Sequence, residues 1–321
     1  MIKEILIPVD GSPSSEQAAQ VGLELARRLQ ASVTFTNVVD QGTSFTPNER
    51  HRSKRLIGNA LVEYWANKAK ALELHAMPNL ATGPNTAKAI CQVAEDEAAD
   101  LIVMGTHGRE GLARAIWGSV AEQVAHETPV PVMFVRHTER PITPQFKRIL
   151  VPIDADQIRH TVIAHAIELA QQLQAKLEFL HVTVDPAVVF GELDLEPVYN
   201  EQMRSETRQI MRKALDQIGM ESLEPEQVEL SELRAGFEAV NRTILRHARR
   251  TDTDLIVMGT NARTGVMKFL IGSVAESVIH HAEIPVLLIR ALEVEQEKPE
   301  RVQQATVQAN LGSVMSHETQ G

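Results

Sequence analysis

The chain of 321 residues has one cysteine, two tryptophans and two tyrosines, and aromatic residues make up only 4% of it. A lone cysteine, Cys91, excludes a disulfide framework and suits a reducing compartment. It falls inside a helix-like stretch, residues 87–99, and reads as a small core residue rather than a redox sensor. With aromatics this scarce, the 43% of hydrophobic residues must fill cores with Leu, Ile, Val, Ala and Met. Such cores suit parallel sheets covered by helices on both faces. No apolar run approaches the ~20 residues that span a bilayer, so no membrane partner is expected. The N-terminus opens at once into a β-like run, residues 2–7, without the basic and apolar regions of a signal peptide. A cytoplasmic protein is the expectation. Positive charge is outnumbered, with 32 Lys and Arg against 42 Asp and Glu and a net charge of −10. An acidic surface repels phosphate backbones, so no nucleic-acid partner is expected; plain solubility accounts for the charge.

Several site signatures are absent as well. A dinucleotide fingerprint needs G-x-G-x-x-G after the first strand, whereas Asp10-Gly11-Ser12-Pro13 stands there. No string fits the Walker A loop, and Gly105, Gly108 and Gly111 make only a near miss. The 12 histidines show no zinc spacing. His280 and His281 are adjacent, so they diverge rather than converge on a metal. No metal site is expected from protein ligands alone.

What the chain does contain is itself, twice. Asp100-Leu-Ile-Val-Met-Gly-Thr106 recurs letter for letter at residues 254–260, and Gly118-Ser-Val-Ala-Glu122 recurs at residues 272–276. Residues 4–10 are echoed by 148–154, and 128–136 by 283–290. The blocks keep their order, which means duplication. The seam, residues 137–146, holds two prolines and few apolar residues, as a short linker does. We therefore expect domains at residues 1–140 and 141–291. Residues 292–321 lose the pattern, are rich in Glu, Gln and Ser, and are expected to form a flexible tail.

Within the first copy, β-like and helical signals alternate. Residues 4–9, 32–39, 74–82, 100–105 and 130–136 read as strands, and 14–30, 55–72, 86–98 and 119–126 as helices. Strands separated by helices imply parallel pairing through right-handed crossovers, hence an α/β doubly wound sheet. Each copy ends in a short apolar strand. As sheet edges these strands would expose unpaired main-chain groups, so pairing them within one chain, as an intrachain pseudo-dimer, is expected. Homodimerisation stays open.

Ligands of such sheets bind beyond the carboxyl ends of the strands, where the strand order reverses. Two loops leave strands in an unusual way: Pro8-Val9-Asp10-Gly11-Ser12, and Met104-Gly105-Thr106-His107-Gly108-Arg109. The second leads through Gly105-x2-Gly108-x9-Gly118-Ser119 into a helix. Glycines let main-chain N–H groups approach phosphate oxygens, and a helix N-terminus adds unpaired donors and partial positive charge. The same glycines also make turns, and Ser119 also suits a helix cap.

Asp10, that glycine spacing and the helix after it resemble the ATP-binding type of the universal stress protein family, over nearly all of residues 1–291. The resemblance implies a five-stranded parallel sheet of order 3-2-1-4-5 in each half, joined through the last strands. It implies ATP, with or without Mg2+, as ligand. Asp10 would hold the ribose. Pro8, Val9 and Val38 would line the adenine pocket, with Met104 near base or sugar. Gly105, His107, Gly108, Arg109, Gly118, Ser119 and Val120 would surround the phosphates, beside Gly11 and Ser12. The second copy keeps Asp154, Gly259, Gly272, Ser273 and Val274 as a weaker set. Ala262 stands there for Gly108, Asn261 for His107, and Ala155-Asp156 for Gly11-Ser12. A β-carbon at residue 262 either strains a left-handed turn, at about 1 kcal/mol, or crowds a phosphate. His107 lacks a nameable orienting partner, so binding and regulation are expected rather than committed catalysis. A slow nucleotide hydrolase and a nucleotide-free scaffold stay open. Trp65 and Trp117 read as packing residues, and the basic run at residues 246–250 as a solvated helix end.

Overall fold

The first strand, β1 (Glu4–Pro8), runs straight into a helix whose start is written in its side chains. Ser12 accepts the N–H of Ser15 at 3.3 Å, Pro13 supplies a preset first turn, and Glu16 sits near the positive end of the dipole. Helix α1 (Pro13–Leu29) ends on Arg27 and Arg28, and Gln30 adopts a left-handed cap with φ 55°. β2 (Ser32–Asp40), α2 (Glu49–Lys70), β3 (Ala76–Gly83), α3 (Thr86–Asp96), β4 (Leu101–Gly105), α4 (Ser119–Glu127) and β5 (Val132–Val135) complete the first half. The second half contributes β6 (Arg148–Ile153), α5 (His160–Leu173), β7 (Lys176–Val184), β8 (Val228–Ala235), α6 (Val240–Arg250), β9 (Leu255–Gly259), α7 (Ser273–His281) and β10 (Val286–Ile289). This computed structural model describes residues 1–40, 49–106, 118–139, 144–154, 160–184, 227–235, 239–260 and 271–290. The expected tail, Trp117 and residues 140–143 of the expected linker lie outside the described residues.

Among the described residues ten strands form one sheet in the order β3-β2-β1-β4-β5-β10-β9-β6-β7-β8. Counted within each half, that is 3-2-1-4-5 twice. Neighbours pair in parallel except at the seam, where β10 lies antiparallel to β5 with Val286 opposite Phe134 and Leu288 opposite Val132. The two last strands thus cover one another's edges, as the repeat implies.

Alternation along the strands sorts side chains onto two faces. Ile5, Ile7, Phe35, Leu101 and Val103 pack with α1 and α2 on one face, where α5 packs in the second half. Leu6, Ile102, Met104 and Phe134 pack with α3 and α4 on the other, beside α6 and α7. Both cores run across the seam: Met133 and Val135 share one with Leu287 and Ile289, and Val132 and Phe134 share the other with Val286 and Leu288. Each such aliphatic side chain stabilises by about 1.5–3 kcal/mol when fully buried. Trp65 is a packing residue, stacked on Phe35 with centroids 6.1 Å apart.

The first letter of the repeated block also has a structural reason. Asp100 accepts the main-chain N–H groups of Lys3 at 2.7 Å and Glu4 at 3.1 Å, tying the turn before β4 to the start of β1. Asp254 does the same for Lys147 at 2.8 Å and Arg148 at 3.1 Å in the second half.

Candidate functional site

The strand order of the first half reverses between β1 and β4, which pair directly with Ile5 opposite Leu101. Their carboxyl ends therefore deliver the two expected loops side by side. Past β1, Asp10 folds back on the helix it introduces. Its Oδ1 accepts the Ser12 N–H at 2.9 Å, and its own N–H donates to Ser15 Oγ at 3.3 Å. Gly11 between them has φ 77°, a left-handed conformation that suits glycine. Asp10 is part-buried, Gly11 exposed, and Ser12 buried as the cap of α1.

Past β4, Thr106 donates its N–H to Val135 O at 3.1 Å, and its carbonyl accepts the N–H of Gly118 at 2.6 Å. The chain leaves and returns at one point, so α4 begins at the end of β4. Gly118 caps α4 in extended conformation, with no side-chain hydrogen bond to the first turn. Ser119 is exposed and Val120 part-buried. The first N–H groups of α4 are thus not taken by a cap side chain, which is what an anion site at a helix N-terminus requires. His107, Gly108 and Arg109 lie outside the described residues.

The expected apolar lining divides. Val38, Met104 and Val120 belong to the core on the α3 and α4 face, and Pro8 follows Leu6 on that side by strand alternation. Val9 points the other way, 3% exposed in the α1 and α2 core. Its main chain is also engaged: its N–H donates to Thr36 O at 2.8 Å and its carbonyl accepts Asn37 Nδ2 at 2.6 Å. Gly105 sits tightly against α1, because a Cβ there would meet Ser14 main-chain carbon at 2.7 Å.

In the second half, Asp154 is exposed after β6, Gly259 closes β9, and Gly272 caps α7 without a side-chain bond, with Ser273 exposed and Val274 part-buried. Asn261, Ala262 and residues 155–156 lie outside the described residues.

Two arrangements escaped the sequence reading. One is the Asn37 contact, whose sequence trace is a polar residue late in β2 and a glycine, Gly58, inside α2. The other is a buried cluster on β7. Glu178, 2% exposed, accepts Ser231 Oγ at 2.6 Å and His247 Nε2 at 2.5 Å, with Arg148 Nη1 at 4.0 Å from its second oxygen. Ser231 donates to the carboxylate and not to the imidazole, so this is not a nucleophile–base pair. It lies near the amino ends of its strands, away from the loops above. A cavity of about 310 Å3 at the seam is lined by Ile2, Asp100, Val130, Glu168 and Leu287 among others, and holds none of the expected site residues. Among the described residues no group of three or more His, Cys, Asp or Glu is placed to hold a metal ion. None of the described helices is long and apolar enough to cross a membrane.

A doubly wound sheet, duplicated and sealed through its last strands, defines the class. The chain belongs to the universal stress protein family, whose model matches residues 1–136 and again 145–290. It is a tandem two-domain member. A universal stress protein of Mycobacterium tuberculosis is 25% identical over 300 residues, covering 89% of this chain and 96% of that one. A universal stress protein of Methanocaldococcus jannaschii is 33% identical over 154 residues, which covers 44% of this chain and 85% of that one. The crystal structure of a universal stress protein from Archaeoglobus fulgidus superposes with a TM-score of 0.64 at 20% identity, covering 91% of this chain and 97% of that chain. At that identity the superposition speaks for the fold alone.

Proposed function

We propose that the first half binds an adenine nucleotide at the carboxyl ends of β1 and β4, and that the protein acts in stress response or regulation through occupancy of that site. The observation that carries this is the convergence at the strand-order reversal. Asp10 is held with a carboxylate near the mouth, and the Gly118-Ser119 start of α4 is hydrogen-bonded back to the end of β4. A carboxylate suits ribose hydroxyls, and an uncapped helix N-terminus suits phosphate. The residues present therefore fit ATP. In this reading Asp10 orients the sugar, Pro8, Val38 and Met104 offer apolar surface to the base, and Ser119 and Val120 offer main-chain N–H groups to phosphate. Mg2+ would arrive with the phosphates, since no described cluster holds a metal by itself. Binding would bias a conformation or a partner surface by differential affinity.

Mass spectrometry of small molecules released from gently purified protein tests the reading, with titration calorimetry against ATP. An adenine nucleotide released, and saturable ATP binding lost in Asp10→Ala, are expected. No nucleotide and no heat at millimolar ATP would leave the scaffold reading in its place.

A further inference from the structure

We infer that Asn37 is a positioning residue for the Asp10 loop and that it ties this loop to helix α2. The inference rests on the nucleotide reading for its consequence, though not for its geometry. Asn37 Nδ2 donates to the carbonyl of Val9 at 2.6 Å, across 28 residues of chain. A carbonyl can only accept, so the amide nitrogen must face it and Oδ1 must face away. The Val9 carbonyl and the Asp10 N–H belong to one planar peptide. A grip on the first therefore fixes the plane from which Asp10 departs. That same N–H donates to Ser15 Oγ, and the Asp10 carboxylate takes the Ser12 N–H. With Val9 N–H bound to Thr36 O at 2.8 Å, β2 holds Val9 from both of its polar groups. The carboxylate offered to a ribose inherits its direction from this arrangement.

The outward side of Asn37 is held by α2. A Cβ on Gly58 would come 2.4 Å from Asn37 Oδ1 and 2.7 Å from Leu80 Cδ1. Glycine inside a helix is a poorer helix former than alanine. Its place here lets α2 sit down on Asn37 and Leu80 without displacing the amide. Leu56 and Ile57, the residues just before it, are 63% and 58% exposed. Gly58 thus brings α2 against the amide of Asn37, which in turn holds the peptide before Asp10.

The second half builds the same grip from another side chain. Val151 pairs with Phe179 there as Ile7 pairs with Phe35 in the first half, so His181 and Ile153 stand where Asn37 and Val9 stand. His181 Nδ1 lies 3.1 Å from the Ile153 carbonyl. The acceptor again fixes the donor, so Nδ1 carries the proton. One contact, kept by two unlike residues at corresponding sites, points to the contact itself as the requirement.

Two first-half variants of the full chain, with two more at His181, test this through ATP titration and amide hydrogen exchange. Asn37→Asp keeps the shape and turns a donor into an acceptor facing a carbonyl. Gly58→Ala touches no proposed ligand contact but drives a methyl group into Oδ1. Both should weaken ATP binding, Asn37→Asp by about tenfold as one hydrogen bond lost, and both should speed exchange at the Asp10 and Ser12 amides. In the second half, His181→Asn should leave exchange at Asp154 near wild type, and His181→Leu should speed it. If Asn37→Asp fails to fold, Gly58→Ala decides. Affinity and exchange unchanged in both first-half variants, or a lowered Tm with no change in either, would overturn the inference. A wild type that binds no ATP would defeat the nucleotide reading alone, because the exchange measurements still decide the positioning.

Discussion

At Gly105 a Cβ would come 2.7 Å from the carbonyl carbon and 2.8 Å from the carbonyl oxygen of Ser14. Main-chain atoms cannot swing aside as a side-chain tip can, so α1 would have to move off β4. The sequence offers this glycine as a phosphate neighbour, and the packing requires it before any ligand arrives. Gly105→Ala should therefore cost about 1–3 kcal/mol, the usual penalty of overpacking, and lower the Tm by several degrees in a thermal melt. A wild-type Tm would show that the helix can yield without cost. Cys91 is the opposite case, a residue whose plain reading holds. It is 8% exposed, and burial, with Glu127 and Glu95 adding, pushes its thiol up to about 11. Since the thiolate is the reactive form, the native protein at pH 7 should be inert to a thiol reagent and react fully once unfolded. Reaction at the rate of a free thiol would return the redox reading. Val38 and Met104 were legible through the resemblance to the family, and the fold puts both on the α3 and α4 face. Asn37 was not, because a hydrogen bond between a side chain and a main-chain carbonyl 28 residues away leaves no period in the sequence.

Elements were easiest to read where apolar spacing repeats, and two helices so placed also carry chemistry at their starts. Ser12 with Pro13, and Asn85 accepting the Lys88 N–H at 2.9 Å, mark the starts of α1 and α3 to within a residue or two. α2 begins at Glu49 rather than residue 55, because the charged run before Leu56 is helix-favouring yet shows no apolar stripe. β5 is shorter than expected, Val132–Val135, since Pro131 has no N–H to give a neighbour. The first strand of each half differs at one informative position: β1 has Glu4 where β6 has Arg148. Glu4 accepts Thr34 Oγ1 at 2.8 Å, yet burial raises its carboxyl above the usual 4.5, and Glu97 and Asp100 add to the rise while Thr34 and His75 oppose it. A raised carboxyl means the charged form is the one disfavoured in the fold. The penalty is absent below pH 4.5, where both states are protonated, and complete above the raised folded value. Glu4→Gln keeps the acceptor for Thr34 and removes the charge. It should raise the Tm at pH 7 by a small amount, worth less than about 1 kcal/mol for a partly solvated group, with the gain vanishing near pH 4. A drop in Tm at neutral pH would mean that the Thr34 and His75 contacts outweigh burial.

Across the whole molecule, duplication made the seam legible, because two equivalent strand edges in one chain have an obvious way to satisfy each other. What repetition could not show is how the halves differ in use. Antiparallel pairing of β5 with β10 turns the second half around, so the two strand-order reversals open on opposite edges of the sheet. They are also four strand spacings apart, ~19 Å at about 4.8 Å each. Two bound nucleotides would not obstruct one another, and a titration should report the intrinsic affinity of each half. Those affinities should be unequal. Asp10 is part-buried, whereas Asp154 is exposed. The sequence adds Ala262 for Gly108 and Ala155-Asp156 for Gly11-Ser12, at positions outside the described residues. Each charge-assisted hydrogen bond to phosphate is worth roughly 1.5–3 kcal/mol. Displacing one donor with a methyl group should then weaken binding by one to two orders of magnitude, at about 1.4 kcal/mol per tenfold. An added carboxylate near the mouth works in the same direction, reduced by solvent screening and by any Mg2+. Calorimetry with ATP should show about one strong site per chain. Gly108→Ala should bring the first half down to the level of the second, and Ala262→Gly should recover part of the difference in the second. Two equal sites in the wild type, or no change in Gly108→Ala, would show that the phosphates are held by other main-chain groups, with the first turn of α4 the next place to look.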